Sequence, residues 1–234
     1  MGREPSVLVL GIGNLLWADE GFGVRTVEEF HRRYDAPANV RVMDGGTQGI
    51  YLLDFIRETD ILVVFDAIDF GDEPGSLKMV EGDEVPAFLG TRKLSLHQTG
   101  FQEVLAMADM VGDYPDHLLL VGVQPVELED YGGSLRPAVK RCMDDALALA
   151  VNWLASLGVS IPLRAVPLGP EVTLTAAAIA LTDYEAGRPD ADEACRIGDD
   201  RLLADGRFAA PADFDAEVAA MVASVPASAS QGQR

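Results

Sequence analysis

The stretch VLVLGIGNLLWADEGFGV, residues 7–24, decides the fold. It begins with a continuous apolar run at 7–10, which is typical of a parallel strand buried on both faces. A glycine turn follows, and a helical pattern begins after it. Two carboxylates, Asp19 and Glu20, lie where a nucleotide-binding loop would present bare backbone amides. The stretch therefore predicts a strand, a tight loop and a helix, and the two acids raise the question of what the loop binds.

Further apolar runs predict more strands of the same sheet, separated by helical patterns. The order βαβαβ–β–α–β–α implies right-handed crossovers and a mainly parallel sheet covered by helices. We therefore predict an α/β fold, a three-layer αβα sandwich around a twisted, mainly parallel, five-stranded sheet. The predicted strands cover residues 7–10, 40–43, 61–65, 77–80 and 118–123.

Apolar residues at helical spacing predict where the helices lie. The helix after DGGTQG would bury Ile50 together with Leu53 and Ile56. The next is predicted to begin at Thr99, because Thr99 and Gln102 form a capping-box pattern, and its buried stripe would run to Val111. One continuous helix is predicted over 135–157, with Pro137 in its first turn, and a further helix within 175–185.

The change of character after residue 158 predicts three parts of the chain. Residues 1–160 would form the αβα domain, and residues 161–208 a C-terminal extension packed on or near it. Residues 209–234 are predicted to be a flexible acidic and alanine-rich tail, because they lack the apolar pattern needed for packing.

Composition excludes several classes of partner. With 38 acidic and 18 basic residues the formal charge is −20, which repels nucleic acid and anionic membranes. The chain lacks the run of about 20 apolar residues that spans a bilayer, and we expect no signal peptide. Two distant cysteines, Cys142 and Cys195, give no disulfide framework. We expect a cytoplasmic monomer with no nucleic-acid partner and no membrane insertion.

Candidate functional residues collect at the predicted carboxyl edge of the sheet, where ligands of open parallel sheets bind. Asp44 and Asp66 end two apolar strands, and an acid buried there without a partner is costly. Each has a simpler explanation as a helix cap or a loop acid. Asp19 could cap the helix that begins near Phe22, leaving Glu20 pointing outward in its first turn.

Glu20, Asp66 and His97 come from three different loops on this same predicted edge. Two carboxylates and one imidazole suit a borderline divalent ion such as Ni²⁺, Zn²⁺ or Mn²⁺. Three protein ligands would leave positions open for substrate or water. No pair has a diagnostic spacing, so the residues alone leave both the metal site and the simpler explanations open.

Other enzyme classes fit less well. A dinucleotide site is disfavoured because GIGNLL lacks the third glycine that would let a helix pack against the strand, and because Glu20 would repel a pyrophosphate. No G-x-S-x-G sequence is present for a serine hydrolase. Neither cysteine lies in the candidate loops, which argues against a cysteine nucleophile.

Four sequence blocks resemble those of the maturation endopeptidases of nickel–iron hydrogenases, and the resemblance spans about residues 6–155. A later stretch, YEAGRPDADEACRIGDDR at 184–201, is similar to the C-terminal signature of the uptake-hydrogenase branch. The four blocks are GIGNLLWADEGFGV at 11–24, MDGGTQG at 43–49, FDAIDFGDEPG at 65–75 and SLHQTGFQEVL at 95–105.

The resemblance implies a cytoplasmic aspartic-type endopeptidase that removes the C-terminal extension from a hydrogenase large-subunit precursor after nickel insertion. By motif, Glu20, Asp66 and His97 would contact nickel, and Asp44 would be a further acid needed for activity. The precursor rather than the free enzyme would carry the Ni²⁺. Metal activation of the peptide and general-base catalysis by Asp44 both stay open. The alternative function is a nickel-sensing assembly module that binds the precursor without cutting it.

Overall fold

The computed structural model describes residues 3–86, 96–169, 171–176 and 179–188, with the side chains of 96–99 excepted. A five-stranded sheet has helices packed on both faces, which confirms the predicted three-layer αβα fold. The strands are β1 (Val7–Ile12), β2 (Val40–Gly46), β3 (Ile61–Ala67), β4 (Leu77–Glu81) and β5 (His117–Val123). The helices include α1 (Phe22–Arg33), α2 (Leu53–Arg57), α3 (Leu96–Val111), α4 (Pro137–Arg141), α5 (Met143–Ser156) and α6 (Leu181–Ala186).

The strand order is β2-β1-β3-β5-β4. Strands β2, β1, β3 and β5 are parallel to one another, and β4 pairs antiparallel with β5 at the edge. From β1 the chain first adds β2 on one side and then crosses over to add β3 on the other side. The winding therefore reverses between β1 and β3, and the crevice at their carboxyl ends is the expected ligand site.

The continuous apolar runs form strands because both faces of the sheet are covered. Every residue of β1 and β3 is buried. In β1, Val7 and Val9 pack in the layer with α1 and α5, while Leu8 and Leu10 pack in the layer with α2 and α3. Each fully buried side chain of this size contributes about 1.5–3 kcal/mol. The sheet is thus a rigid platform for the loops at its ends.

All five strands are longer than predicted, and in β2 and β3 this changes where a candidate acid lies. β2 runs to Gly46 and β3 runs to Ala67. Asp44 pairs with Gly11 of β1, and Asp66 pairs with Gly122 of β5. Both acids therefore lie within their strands, near the carboxyl ends, rather than in the following loops.

The helix at residues 96–111 begins earlier than the capping-box pattern predicted. α3 starts at Leu96, so His97 and Gln98 lie within its first turn rather than before it, and Thr99 is not the N-cap. Phe101, Val104, Leu105 and Ala108 form the buried stripe as predicted. Val111 is 48% exposed and does not belong to it.

Two other helical predictions were partly wrong. The segment after β2 begins with a 3₁₀ helix, Gly49–Leu52, whose tighter period buries Leu52 and leaves Ile50 exposed. The predicted helix over 135–157 is two helices, α4 and α5, which meet at Cys142. Pro137 does occupy the first turn of α4.

The chain after α5 lies along α1. The Leu163 backbone forms an antiparallel bridge with Tyr34, and the Arg164 amide donates to the Arg33 carbonyl over 2.8 Å. Met1–Arg188 form one compact unit. The predicted boundaries at 160 and 208 stay predictions, and the predicted tail at 209–234 lies outside the described residues. No helix within the described residues is long and apolar enough to cross a membrane.

Candidate functional site

Glycines place the turn that carries Glu20 directly on the end of β1. Gly13 has φ +136°, and a Cβ there would lie 1.8 Å from the Glu20 carbonyl oxygen. A Cβ on Gly23 would lie 2.1 Å from the Phe65 carbonyl of β3. Gly23 therefore provides the close helix–strand packing that the sequence argument had missed in GIGNLL. The loop itself still lacks the third glycine of a dinucleotide-binding motif, and Glu20 opposes a pyrophosphate.

Asp19 does not cap α1, contrary to one sequence interpretation. It is fully buried, and its carboxylate accepts hydrogen bonds from the amides of Val126 at 2.8 Å, Glu127 at 2.9 Å and Arg136 at 2.6 Å. Its own amide donates to the Glu127 carbonyl. These bonds tie the loop after β1 to the loop after β5.

The same turn contains a strained residue. Ala18 has φ +41°, a left-handed conformation that is uncommon for a residue with a side chain. It begins the 3₁₀ helix Ala18–Gly21, which contains both Asp19 and Glu20. The hydrogen bonds of Asp19 hold this conformation in place. Glu20 is half-buried, and its 3₁₀ helix contacts β3.

Asp66 lies at the carboxyl end of β3, beside the Glu20 turn. It is 2% exposed, and one carboxylate oxygen accepts from the Ala67 amide at 2.8 Å. Strand alternation puts it on the same face as Leu62 and Val64, which is the α3 face. Asp66 is thus a buried acid at the point where the sheet winding reverses.

Gln124, which directly follows β5, holds the loop after β3. Its side-chain oxygen accepts from the amides of Phe70 at 2.7 Å and Asp72 at 3.2 Å, and its nitrogen donates to Asp69 at 3.0 Å. Sequence reasoning missed both Gln124 and the role of Asp19. A polar residue immediately after a buried strand was the available signal for Gln124.

Asp44 lies on the opposite face of the sheet from Asp66. Alternation places it with Val40 and Val42 on the α1 face. Partial burial raises the pKa of the Asp44 carboxyl, against a 2.9 Å hydrogen bond from the Gly46 amide. The charge of Glu28 raises this pKa further and that of Arg25 lowers it. Asp44 is therefore an acid whose negative charge is disfavoured by its surroundings.

The backbone of His97 is at the same end of the sheet. Its helix, α3, packs against the 3₁₀ helix that follows β2, and a Cβ on Gly100 would lie 3.7 Å from the Cα of Gly49. The side chain of His97 lies outside the described residues. The backbones of Glu20, Asp66 and His97 thus come from elements that meet at the carboxyl edge.

Among the side chains that the structure describes, no three His, Cys, Asp or Glu residues form a metal-binding group. Because His97 is not among those side chains, the predicted set of Glu20, Asp66 and His97 stays a prediction. Chemically, the edge offers the carboxylates of Glu20 and Asp66 for a cation, with Asp66 on the α3 face, and an acid with a raised pKa, Asp44, on the α1 face. This arrangement suits a positively charged ligand next to a group that is a stronger base than an ordinary aspartate.

Comparison with known proteins gives a consistent result. The family model described as hydrogenase maturation protease matches residues 24–153. The hydrogenase expression/formation protein HupD of Thiocapsa roseopersicina is 58% identical over 203 residues, which are 87% of this chain and 92% of that protein. The hydrogenase 2 maturation protease of Escherichia coli is 41% identical over 162 residues, which are 68% of this chain and 98% of that protein.

A solved structure agrees with the sequence relatives. The hydrogenase maturating endopeptidase HybD from E. coli superposes with a TM-score of 0.65 at 39% identity. The match covers 68% of this chain and 98% of that protein. Fold, sequence and the order of the motif blocks therefore point to one family.

Proposed function

The chain belongs to the hydrogenase maturation protease family, and from this premise we propose that it removes the C-terminal extension of a nickel–iron hydrogenase large-subunit precursor after nickel insertion. The protein is an endopeptidase of that family, which disfavours the alternative of a non-catalytic sensing module. Nickel-dependent cleavage is supported by one observation: Glu20 and Asp66 lie beyond and at the carboxyl ends of the neighbouring strands β1 and β3.

Glu20, Asp66 and His97 are proposed to recognise nickel that the precursor carries. Ni²⁺ accepts carboxylate and imidazole ligands together. A partly ligated ion in the precursor has open positions, and these three side chains would complete its coordination. A precursor without nickel would lack this coordination by the three side chains, so it would bind more weakly. Nickel is thus part of the substrate and the signal for cleavage.

Asp44 is proposed to act as the general base that activates the attacking water. A base with a raised pKa holds an abstracted proton more strongly than an ordinary aspartate does. Asp44 lies on the α1 face and Asp66 on the α3 face of the same edge. A precursor segment crossing the edge would present its nickel to one face and the scissile peptide bond to the other. Recognition and hydrolysis would then use different residues.

The test is to incubate the chain with precursor purified with and without nickel and to look for the released C-terminal peptide. Release from the nickel-loaded precursor alone is the expected result. Binding of the loaded precursor without release would favour the sensing module, and release from both forms would contradict nickel recognition.

The ligand set is tested in the same assay with two histidine variants. His97→Ala is expected to abolish cleavage while the circular-dichroism spectrum is unchanged. His117→Ala is the matched control, because His117 is exposed at the amino end of β5, away from the proposed site. Normal cleavage by His97→Ala would show that the ligand set is wrong.

A further inference from the structure

The contacts of α6 connect the C-terminal part of the described chain to the turn that carries Glu20. We propose that residues 181–188 form a brace that holds the loop at 126–136, and through Asp19 positions the Glu20 turn. This inference rests on the proposed function for its catalytic consequence, but its structural content can be measured separately. Residues 181–188 lie outside the part of the chain that the family model matches.

The first link is between the Glu20 turn and the loop at 126–136. The Asp19 carboxylate accepts hydrogen bonds from the amides of Val126, Glu127 and Arg136, as described above. The Gly132 amide also donates to the Leu16 carbonyl over 2.7 Å, and the rings of Trp17 and Tyr131 pack edge to face at 5.3 Å. The position of the Glu20 turn is therefore coupled to the position of the loop at 126–136.

The second link is between this loop and Arg188, the last residue of the brace at 181–188. Arg188 donates to Asp130 at 3.2 Å, and Arg136 donates to the same carboxylate oxygen at 2.8 Å. The side chain of Asp130 is only 9% exposed. Both hydrogen bonds join charged groups at a carboxylate that is largely removed from water, which strengthens them relative to exposed ion pairs.

Glu185 adds a second contact to the loop and joins it to α4. It accepts from the Ser134 hydroxyl at 2.9 Å and from the Lys140 ammonium at 2.9 Å and 3.0 Å. These donors hold the pKa of the Glu185 carboxyl below its ordinary value, although partial burial opposes them. The Tyr184 hydroxyl donates to the Gly133 carbonyl at 3.3 Å.

The brace is anchored to the core on its other side. Arg25 of α1 is 3% exposed and donates to the Ile179 carbonyl at 2.6 Å. Its guanidinium lies over the Tyr184 ring, 5.5 Å from the centroid. Because α6 is fixed to α1, it can hold the loop rather than move with it.

The loop needs such support because it buries little apolar surface. Val126 and Tyr131 are 48% and 52% exposed, and Leu135 is its buried apolar residue. A segment with few buried apolar contacts opens readily unless polar contacts hold it. The left-handed Ala18 in the facing turn adds strain that a mobile loop would not contain.

The experiment compares amide hydrogen exchange in the full chain and in a Glu185→Ala/Arg188→Ala double variant. The amides of Val126, Glu127 and Arg136, which bind Asp19, are expected to exchange about fivefold faster in the variant. Tyr184→Phe, which removes one hydroxyl and keeps the ring over Arg25, is expected to show the same change at smaller size.

Arg164→Ala is the matched control. Arg164 also belongs to the segment after α5 and also makes an ion pair, with Asp35 at 2.7 Å, but that pair does not involve the loop. Exchange at 126–136 is expected to be unchanged in this variant. The proposed brace would be wrong if amide exchange at 126–136 in the double variant were as slow as in wild type. It would also be wrong if Arg164→Ala accelerated this exchange as much as the double variant does.

Cleavage kinetics then test the catalytic consequence. With nickel-loaded precursor, the double variant is expected to raise KM about fivefold while kcat stays close to wild type, because a mobile Glu20 weakens recognition rather than hydrolysis. If the wild-type chain does not cleave, the proposed function fails and the exchange result still decides the brace. If the wild type cleaves and the double variant has an unchanged KM, the brace does not position Glu20.

Discussion

The two ends of the sheet both carry acids, and their surroundings have opposite effects. At the amino end, Asp60 precedes β3 and accepts from the Ser6 amide at 2.6 Å, the Ser6 hydroxyl at 2.9 Å and Arg3 at 2.7 Å. The Ser6 hydrogen bonds and the Arg3 charge hold the pKa of the Asp60 carboxyl below its ordinary value. At this end a negative charge stabilises the fold.

At the carboxyl end, the surroundings of Asp44 disfavour its charge and raise its pKa. Asp66 is buried at the same edge. Asp19 resembles the amino-end acid in its hydrogen bonds, because its carboxylate accepts from three backbone amides. Asp60 at the amino end and Asp19 therefore hold the structure together, whereas the charge of Asp44 is retained at a cost to stability, which makes Asp44 a candidate for chemistry.

The largest effect is expected from Asp44→Asn at the carboxyl end. We expect cleavage of nickel-loaded precursor to fall at least about 100-fold, because the proposed base is lost. The folded protein is expected to be as stable as wild type at pH 7 or more so. A raised pKa means that the charged form is disfavoured in the fold, and the asparagine oxygen can still accept from Gly46.

The raised pKa of Asp44 also determines how cleavage depends on pH. In wild type, kcat/KM should fall with decreasing pH through the pKa of Asp44, which burial raises above the ordinary aspartate value of about 3.9. Asp54→Asn is the matched control, because Asp54 in α2 is exposed. A large loss of stability in Asp44→Asn with normal kcat would make Asp44 a structural acid instead.

The next largest effect is expected from Asp19→Ala. Removing the carboxylate leaves the amides of Val126, Glu127 and Arg136 without their acceptor inside the protein. We expect a loss of about 3 kcal/mol in the free energy of unfolding, measured by urea denaturation. Asp19→Asn should lose less, because its amide oxygen can accept from part of this set. A loss below about 1 kcal/mol for Asp19→Ala would mean that Asp19 does not hold the two loops together.

The smallest effect is expected from Asp60→Asn at the amino end. We expect a loss of about 1 kcal/mol at pH 7, because the acid is partly exposed and the asparagine keeps one acceptor. Since the folded pKa is lowered, this contribution is present above the unfolded pKa of about 3.9 and is lost as pH falls through the folded value. Cleavage should be unchanged; reduced kcat at full stability would contradict the division between the two ends.

The fold could be predicted from the sequence because the apolar pattern that identifies each strand lies within that strand. Runs such as 7–10 and 61–65 are continuous apolar segments, and only a sheet covered on both faces buries them completely. The order of elements then restricts the topology. Helix boundaries were less predictable: α3 begins three residues before the apparent capping box, so that local pattern did not set where the helix starts.

The candidate site was predicted only in part. Residue types at strand ends identified Glu20, Asp44 and Asp66 as edge residues, and the structure has them there. The opposite faces of Asp44 and Asp66 depend on strand register, which the sequence does not reveal. The bonds of Asp19 and Gln124 join loops more than 50 residues apart in sequence, so no local pattern could predict them.

The most direct test of the account is the position of nickel in crystals of the full chain soaked with Ni²⁺. An anomalous peak is expected about 2.0–2.2 Å from a Glu20 oxygen, an Asp66 oxygen and a His97 nitrogen, and it is expected to be absent in His97→Ala. A nickel ion bound elsewhere with this edge empty, or side chains of the three residues directed away from one another, would contradict the account.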